Sequence, residues 1–284
     1  MKPAPFSYHA PVSLDEAIRI LADVAPRDGR VLAGGQSLVP TMAFRMARPA
    51  HLVDINGIVE LDRLTIEDET IRIGACVRHA AFHRDDVPGP TGRLLRDVVR
   101  YIAHYPIRVR GTFCGSVANA DPASEWCCVT AALGGKITAR SGAGTRTIAA
   151  SEFFQSVMTT DLRDDELVTD VALPLLPEGT RCGFAEFSRR VGDFGIAMLL
   201  ATYRIEDGLI ADPRVGLGGA EATPRRLAEV ENVLVGREPV PETFAQCADV
   251  AAEVVAPLED NNNTIAYRCG LVHTLTRRAL EQAR

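Results

Sequence analysis

Ala33-Gly34-Gly35-Gln36-Ser37-Leu38 follows the short apolar run Arg30-Val31-Leu32 and opens a segment that runs past Met42 towards Met46. The order reads as strand, glycine turn, helix. Glycine lets the backbone approach a ligand closely and take a positive φ. A helix start presents free N–H groups and a partial positive charge. A second stretch repeats the idea: Arg110 to Asp121, with Gly111-Thr112-Phe113-Cys114-Gly115-Ser116 at its centre, reads as a glycine-containing turn between two helices, preceded by Arg108-Val109. Ser37, Thr112 and Ser116 add hydroxyl donors. Two such turns facing one another would hold a pyrophosphate from both sides. Taken alone, each also reads as nothing more than a tight turn.

Working outward, Ser13-Leu14-Asp15-Glu16 is a capping box, and Ala17, Ile18, Leu21 and Val24 after it share one helical face. His51 to Ile55 reads as a buried strand. Leu64 to Ile66 and Thr70 to Ala75 form a hairpin around Glu67-Asp68-Glu69. Arg93 to His104 carries apolar residues at helical spacing, and a further helix is predicted over Ala123 to Leu133. Lys136 to Ala139 pairs with Arg146 to Ala149, and Leu167 to Leu173 is a strand closed by Pro174. Pro174 to Gly179, with two prolines and a glycine, is the best linker. Beyond it come strands over Phe184 to Arg189, Ala197 to Glu206 and Val215 to Gly218. Helices follow over Pro224 to Leu234, Pro241 to Val255 and Thr264 to Ala283. Strands and helices in separate runs indicate an α+β C-terminal domain.

The chain has 284 residues, 46% hydrophobic and 24% charged, with a net charge of −6. That composition excludes a wholly disordered protein. No apolar run approaches the ~20 residues of a membrane-spanning helix. The start, MKPAPFSYHAPVS, lacks a signal peptide's apolar core, so a cytoplasmic location is expected. No cluster of Lys and Arg suits nucleic acid. The seven cysteines, Cys76, Cys114, Cys127, Cys128, Cys182, Cys247 and Cys269, are odd in number, dispersed and without a CxxC. They read as small buried apolar residues rather than as disulfides or metal ligands.

Other motifs fail on inspection. Neither turn is followed by the Lys-Ser or Lys-Thr of a P-loop, and neither is GxGxxG. Gly35-Gln36-Ser37-Leu38-Val39 lacks the last glycine of a nucleophile elbow, and nothing nominates a histidine partner for Ser37. His79 and His83 are four residues apart, but no third zinc ligand stands nearby, so a solvated or hydrogen-bonded pair is expected.

The combination of the two turns with Asn119-Ala120-Asp121-Pro122-Ala123-Ser124-Glu125 and with Arg189-Arg190-Val191-Gly192-Asp193-Phe194-Gly195-Ile196-Ala197 resembles the FAD-binding medium subunit of the molybdenum hydroxylases. That is the family of xanthine dehydrogenase and carbon monoxide dehydrogenase. Phe6-Ser7-Tyr8 and the helix at Ser13 fit the family's start, and the resemblance spans essentially the whole chain. It implies an α+β fold: an FAD-binding domain of the vanillyl-alcohol-oxidase type over residues 1–176, in subdomains of about 1–55 and 56–176. Residues 177–284 would follow as a three-stranded antiparallel sheet with a three-helix bundle.

The resemblance also implies that Ala33, Gly34, Gly35, Gln36, Ser37 and Leu38, with Thr112, Phe113, Cys114, Gly115 and Ser116, bind FAD around its pyrophosphate. Asp121 and Glu125 match acidic positions near the cofactor. Val168 and Phe194 match positions near the flavin ring. A small [2Fe–2S] subunit and a large molybdopterin subunit would be separate chains, in a dimer of heterotrimers that passes electrons through FAD to an external acceptor. No catalytic residue is implied here. A free-standing flavin oxidase or dehydrogenase, and a flavin-free scaffold with a vestigial site, are the alternatives.

Three residues depart from the family pattern. Cys114 replaces a glycine, which would cost about 1 kcal/mol or more if the position holds a positive φ. Ser116 replaces an asparagine, and Glu186 stands where several members have lysine. These substitutions imply an unusual FAD affinity or redox potential. Restoring glycine and asparagine would then tighten binding.

Overall fold

The computed structural model describes residues 2–284. Its first unit is a βαβαβ fold. Strands β1 (Ser7–His9), β2 (Gly29–Leu32) and β3 (His51–Asp54) make a parallel sheet in the order β1-β3-β2, connected by α1 (Leu14–Val24) and α2 (Leu38–Ala43). Ser13 caps α1 by accepting from the Glu16 N–H at 3.3 Å. Glu16 returns to the Val12 N–H at 2.9 Å, one residue earlier than a strict capping box. Ala17, Ile18, Leu21 and Val24 are the buried face, as the periodicity required.

The second unit is a five-stranded antiparallel sheet, order β4-β5-β10-β6-β7, covered by short helices. Its strands are β4 (Leu64–Glu67), β5 (Thr70–Gly74), β6 (Lys136–Ser141), β7 (Gly144–Ala149) and β10 (Leu167–Pro174). Between β5 and β6 lie α3 (Gly89–Val98), α4 (Tyr105–Arg108), α5 (Phe113–Asn119) and α6 (Glu125–Ala132). A turn of helix α7 (Ala150–Phe153) and the small hairpin β8 (Phe154–Ser156) with β9 (Thr159–Thr160) lead into β10. Helix α3 begins and ends earlier than its apolar spacing predicts. Its far end is fixed by Arg108, whose guanidinium donates to the carbonyls of Val99, Arg100 and Ile102 at 3.0–3.1 Å.

The C-terminal unit holds β11 (Arg181–Phe187), β12 (Ala197–Glu206) and β13 (Leu209–Gly218) as an antiparallel sheet. The two-residue strand β14 (Arg225–Arg226) adds to its edge. Helices α8 (Ala228–Leu234), α9 (Pro241–Val254) and α10 (Ile265–Gln282) cover one face. The three expected strands are present, but β13 starts at Leu209 rather than Val215. Pro213 and the positive-φ residue Asp212 break its alternation, and the pairing with β12 shifts register beside them. Proline in a strand is tolerated at such a bulge. Helix α8 starts later than expected because Arg225 and Arg226 are spent on β14.

Two apolar cores result. One joins the first two units around Val53, Ile71, Leu94, Phe113 and Trp126. The other lies between the C-terminal sheet and its helices, around Leu199, Tyr203, Phe244 and Val272. Helix α6 lies where they meet, with all eight residues buried. Gly216 of β13 is in close contact with it: a Cβ there would stand 2.4 Å from the Ala132 Cβ. Gly216→Val should therefore wedge β13 from α6 and destabilise the chain by roughly 2 kcal/mol or more. The check is a thermal melt, with a drop in Tm of several degrees expected.

Candidate functional site

The first turn leaves β2 and enters α2. Gly35 holds φ +71°, which favours glycine. At Gly34 a Cβ would fall 2.5 Å from the Arg110 carbonyl oxygen and 2.6 Å from the Gly111 Cα. The two turns are thus in direct backbone contact, and glycine at 34 serves that contact. A polar bridge reinforces it. Asn56 donates to the Ala33 carbonyl at 2.7 Å and accepts from Arg78 at 2.6 Å, and Arg78 donates in turn to the Arg110 carbonyl.

The second turn is shorter than the sequence suggested. Thr112 is extended and caps α5, its hydroxyl accepting from the Gly115 N–H at 3.0 Å. Cys114 therefore lies inside a helix, with no positive φ. Its thiol is buried and donates to the Ile73 carbonyl at 3.2 Å. The strain expected at this position does not exist, and the argument for restoring glycine there falls with it. Burial pushes the thiol well above its ordinary pKa, so it stays protonated.

Both turns border one cavity of about 590 Å³, within the usual range for small-molecule sites. Ala33 to Leu38, Thr112, Cys114, Gly115, Ser116 and Val168 all line it. The Val39 N–H bonds the Gly35 carbonyl at 3.0 Å, so the N–H groups of Gln36, Ser37 and Leu38 stand outside the helical ladder. The Ser37 hydroxyl caps nothing, and Arg30 adds a positive charge to the wall. Small residues, free N–H donors, a hydroxyl and the cations Arg30 and Arg163 suit a diphosphate, and the carboxylates Asp164 and Glu166 border the same cavity.

Other expected site residues lie elsewhere. Phe113 points into the core, its ring centroid 4.8 Å from that of Trp126 and 5.6 Å from that of Phe82. Asp121 accepts from the Ala123 N–H at 2.9 Å and shapes its own turn. Phe194 is 70% exposed on the loop between β11 and β12. Glu125 is buried at the start of α6, across from Glu186 on β11. None of these four lines the cavity of the turns. Glu186 instead borders a second cavity of about 720 Å³, with Tyr101, Phe184 and Phe187. Sequence reasoning took His79 only as a partner of His83, whereas it is buried and lines the first cavity. It does not pair with His83: Trp126 donates to His79 Nδ1 at 2.9 Å, while the His83 ring lies 6.0 Å from Tyr105.

Two apposed glycine turns around one cavity suit the pyrophosphate of a dinucleotide. Residues 4–176 match the FAD binding domain in molybdopterin dehydrogenase, and residues 183–283 match the CO dehydrogenase flavoprotein C-terminal domain. The chain belongs to the family of FAD-binding medium subunits of the molybdenum hydroxylases. The nicotine 6-hydroxylase medium subunit of Paenarthrobacter nicotinovorans is 36% identical over 100% of this chain and 99% of its own length. Among solved structures, quinoline 2-oxidoreductase from Pseudomonas putida 86 superposes with a TM-score of 0.93 at 33% identity, covering 100% of this chain and 98% of that one. The carbon monoxide dehydrogenase of Hydrogenophaga pseudoflava gives 0.95 at 31% identity, with the same coverage. The resemblance drawn from the paired turns is borne out, and the chain is an oxidoreductase subunit with an FAD-binding domain.

Two outcomes follow from the site. Cys114→Gly should place a glycine inside α5 and remove a buried thiol, together costing about 2 kcal/mol. A melt and a flavin titration of this variant should show lower stability and no gain in FAD affinity. The second concerns the carboxyl pair. Burial holds both Glu125 and Glu186 above the usual carboxylate range; Asp121 adds to it at Glu125, and Glu125 adds to it at Glu186. A folded-state value raised above the unfolded one means that the folded chain binds more protons, so stability falls as pH rises beyond the unfolded value. Glu186→Gln should therefore raise Tm by roughly 2 °C or more at pH 8 and by clearly less at pH 5. Melts of both chains across that range check the sign.

Proposed function

We propose that this chain is the electron-transfer subunit of a heterotrimeric molybdenum hydroxylase, with FAD seated between the two turns. The observation that carries the reading is the convergence of both glycine turns and Val168 on a single cavity, in a chain matched nearly end to end by the two domains of one family. When bound, FAD supplies the redox chemistry, accepting electrons singly or in pairs. The residues of the chain do the holding. The free N–H groups ahead of α2 and the hydroxyls of Ser37 and Ser116 take the diphosphate, Gly34 and Gly111 keep the turns together, and Val168 presents an apolar surface. Asp121, Glu125 and Phe194 act farther along the cofactor, towards the C-terminal sheet.

In this reading the electrons come from [2Fe–2S] clusters in a small partner subunit, fed by a large molybdopterin subunit that meets the substrate. They leave for an external acceptor. The complex is a cytoplasmic dimer of heterotrimers. The chain divides into an FAD-binding domain over 1–176 and a C-terminal domain over 177–284. A free-standing oxidase would need a base over the cofactor. His79, the histidine on this cavity, is pushed down to about 3, chiefly by burial and further by Arg78 and Arg108, so it does not take up a proton at neutral pH. Glu166 is tied to Arg146 at 2.7 and 2.8 Å. No helix of the described residues is long and apolar enough to cross a membrane.

Purification of the tagged chain from its own host tests the reading. Two further subunits should co-purify with molybdenum and iron, and acid precipitation should release the flavin into the supernatant, because no residue at the turns is placed to tether it. A chain that carries no flavin, or one that turns over substrate alone, would defeat the proposal.

A further inference from the structure

His79 combines deep burial with an open donor. The residue is only 4% exposed, yet its ring borders the cavity shared by Ser37, Gly111 and Ser116. Its tautomer is fixed by a neighbour. The Trp126 indole N–H can only donate, and it donates to His79 Nδ1 at 2.9 Å. The ring proton must therefore sit on Nε2. That nitrogen has no acceptor among the described residues. It is also not one of the sealed, unpartnered polar atoms of the core, such as Arg108 Nε and Glu186 Oε2. Gly111 keeps it clear: a Cβ at that position would lie 2.5 Å from Nε2. Buried donors are almost always satisfied, and here the protein supplies nothing.

We propose that His79 is a neutral hydrogen-bond donor to the cofactor, its Nε2–H bonding an oxygen of the FAD held between the two turns. The assignment rests on the reading of this cavity as the FAD site. Trp126 acts through His79: it sets the tautomer, and its own ring is held among Phe82 and Phe113, with centroids 5.1 and 4.8 Å away. The charged groups facing His79 are Arg78 and Arg108, both of which oppose its protonation. The donor is thus uncharged across the neutral range, and its contribution is directional rather than Coulombic. FAD affinity from this contact should be level between about pH 6 and 8.

The experiment uses the full chain labelled with 15N-histidine, in the assembly in which it purifies, stripped of flavin and titrated with FAD. The His79 resonances are assigned in the wild-type chain by their proximity to the Trp126 indole N–H, which bonds Nδ1, and are checked by their loss in His79→Gln. In the flavin-free chain, Nε2 should appear protonated and Nδ1 as an acceptor. FAD should move the Nε2–H signal downfield and slow its exchange with water. His79→Phe, which has no donor, should weaken FAD binding roughly ten- to a hundredfold. His79→Gln, which keeps an amide N–H, should stay closer to wild type. An unmoved Nε2–H signal at saturating FAD would overturn the assignment, even if both variants proved unstable. So would wild-type affinity in a folded His79→Phe chain. Failure of the wild-type chain to bind FAD at all would instead overturn the reading of the cavity, and the assignment with it.

Discussion

The backbone contact between Gly34 and the Arg110–Gly111 segment is the constraint on which the site depends. It joins a turn of the parallel sheet to a turn of the antiparallel one, with no side chain between them. Such an approach is open only to glycine. Backbone contact alone sets distance but not register. Register comes from the polar bridge in which Asn56 and Arg78 join the Ala33 carbonyl to the Arg110 carbonyl. The amide and the guanidinium supply donors to both carbonyls and tie the two turns together beside the cavity.

Helix α6 carries the consequences of this contact into the rest of the molecule. Its Trp126 holds His79 behind the second turn, its Glu125 faces β11, and Ala132 abuts Gly216 of β13. Because every residue of α6 is buried, it has no polar face to orient it, and its position is dictated by what it packs against on each side. A shift of α6 would move the indole and the carboxylate together. The cavity of the two turns and the C-terminal sheet are therefore mechanically joined through one short helix, in a close-packed setting that deforms little.

Much of this was legible in the sequence, and the failures have physical causes. The helices and the second and third strands of the first unit announced themselves through the Ser13 cap, the apolar face of α1 and the Gly34–Gly35 pair, whereas the three-residue β1, largely exposed, gave no pattern to read. The hairpins were readable because Leu64 to Ala75 and Lys136 to Ala149 alternate cleanly. Helix α5 was not readable: it is seven residues long, contains Gly115, and begins at a Thr112 cap without the acidic third residue of a capping box. Missing it led to the mistaken strain at Cys114. Strand β13 was shortened because Asp212 and Pro213 interrupt it. His79 was judged by its spacing to His83, whereas its partner Trp126 is 47 residues away. Local spacing carries no information about a contact of that range. The gathering of Ala33 to Leu38 with Thr112, Cys114, Gly115 and Ser116 was anticipated through the combination of motifs that carries the family resemblance, since each glycine turn alone reads equally as a tight turn.

The seam between the two cores sets shape against charge. Its apolar contacts are tight: besides Gly216 against Ala132, a Cβ at Gly218 would lie 3.0 Å from the Cys128 Cβ. Such packing favours closure. The same seam buries two carboxyls: Glu125, which Asp121 repels and Arg108 attracts, and Glu186, which Glu125 repels. Glu186 Oε2 has no hydrogen-bond partner. Burying a carboxylate without a partner is costly, and the cost falls as the carboxyl takes up a proton. The packing term is indifferent to pH and the carboxyl term is not. The hold of α6 on the C-terminal sheet is therefore strongest when both carboxyls are neutral and weakens as each is ionised, while the Gly34 contact, built from backbone alone, keeps the cavity of the turns in shape across the same range.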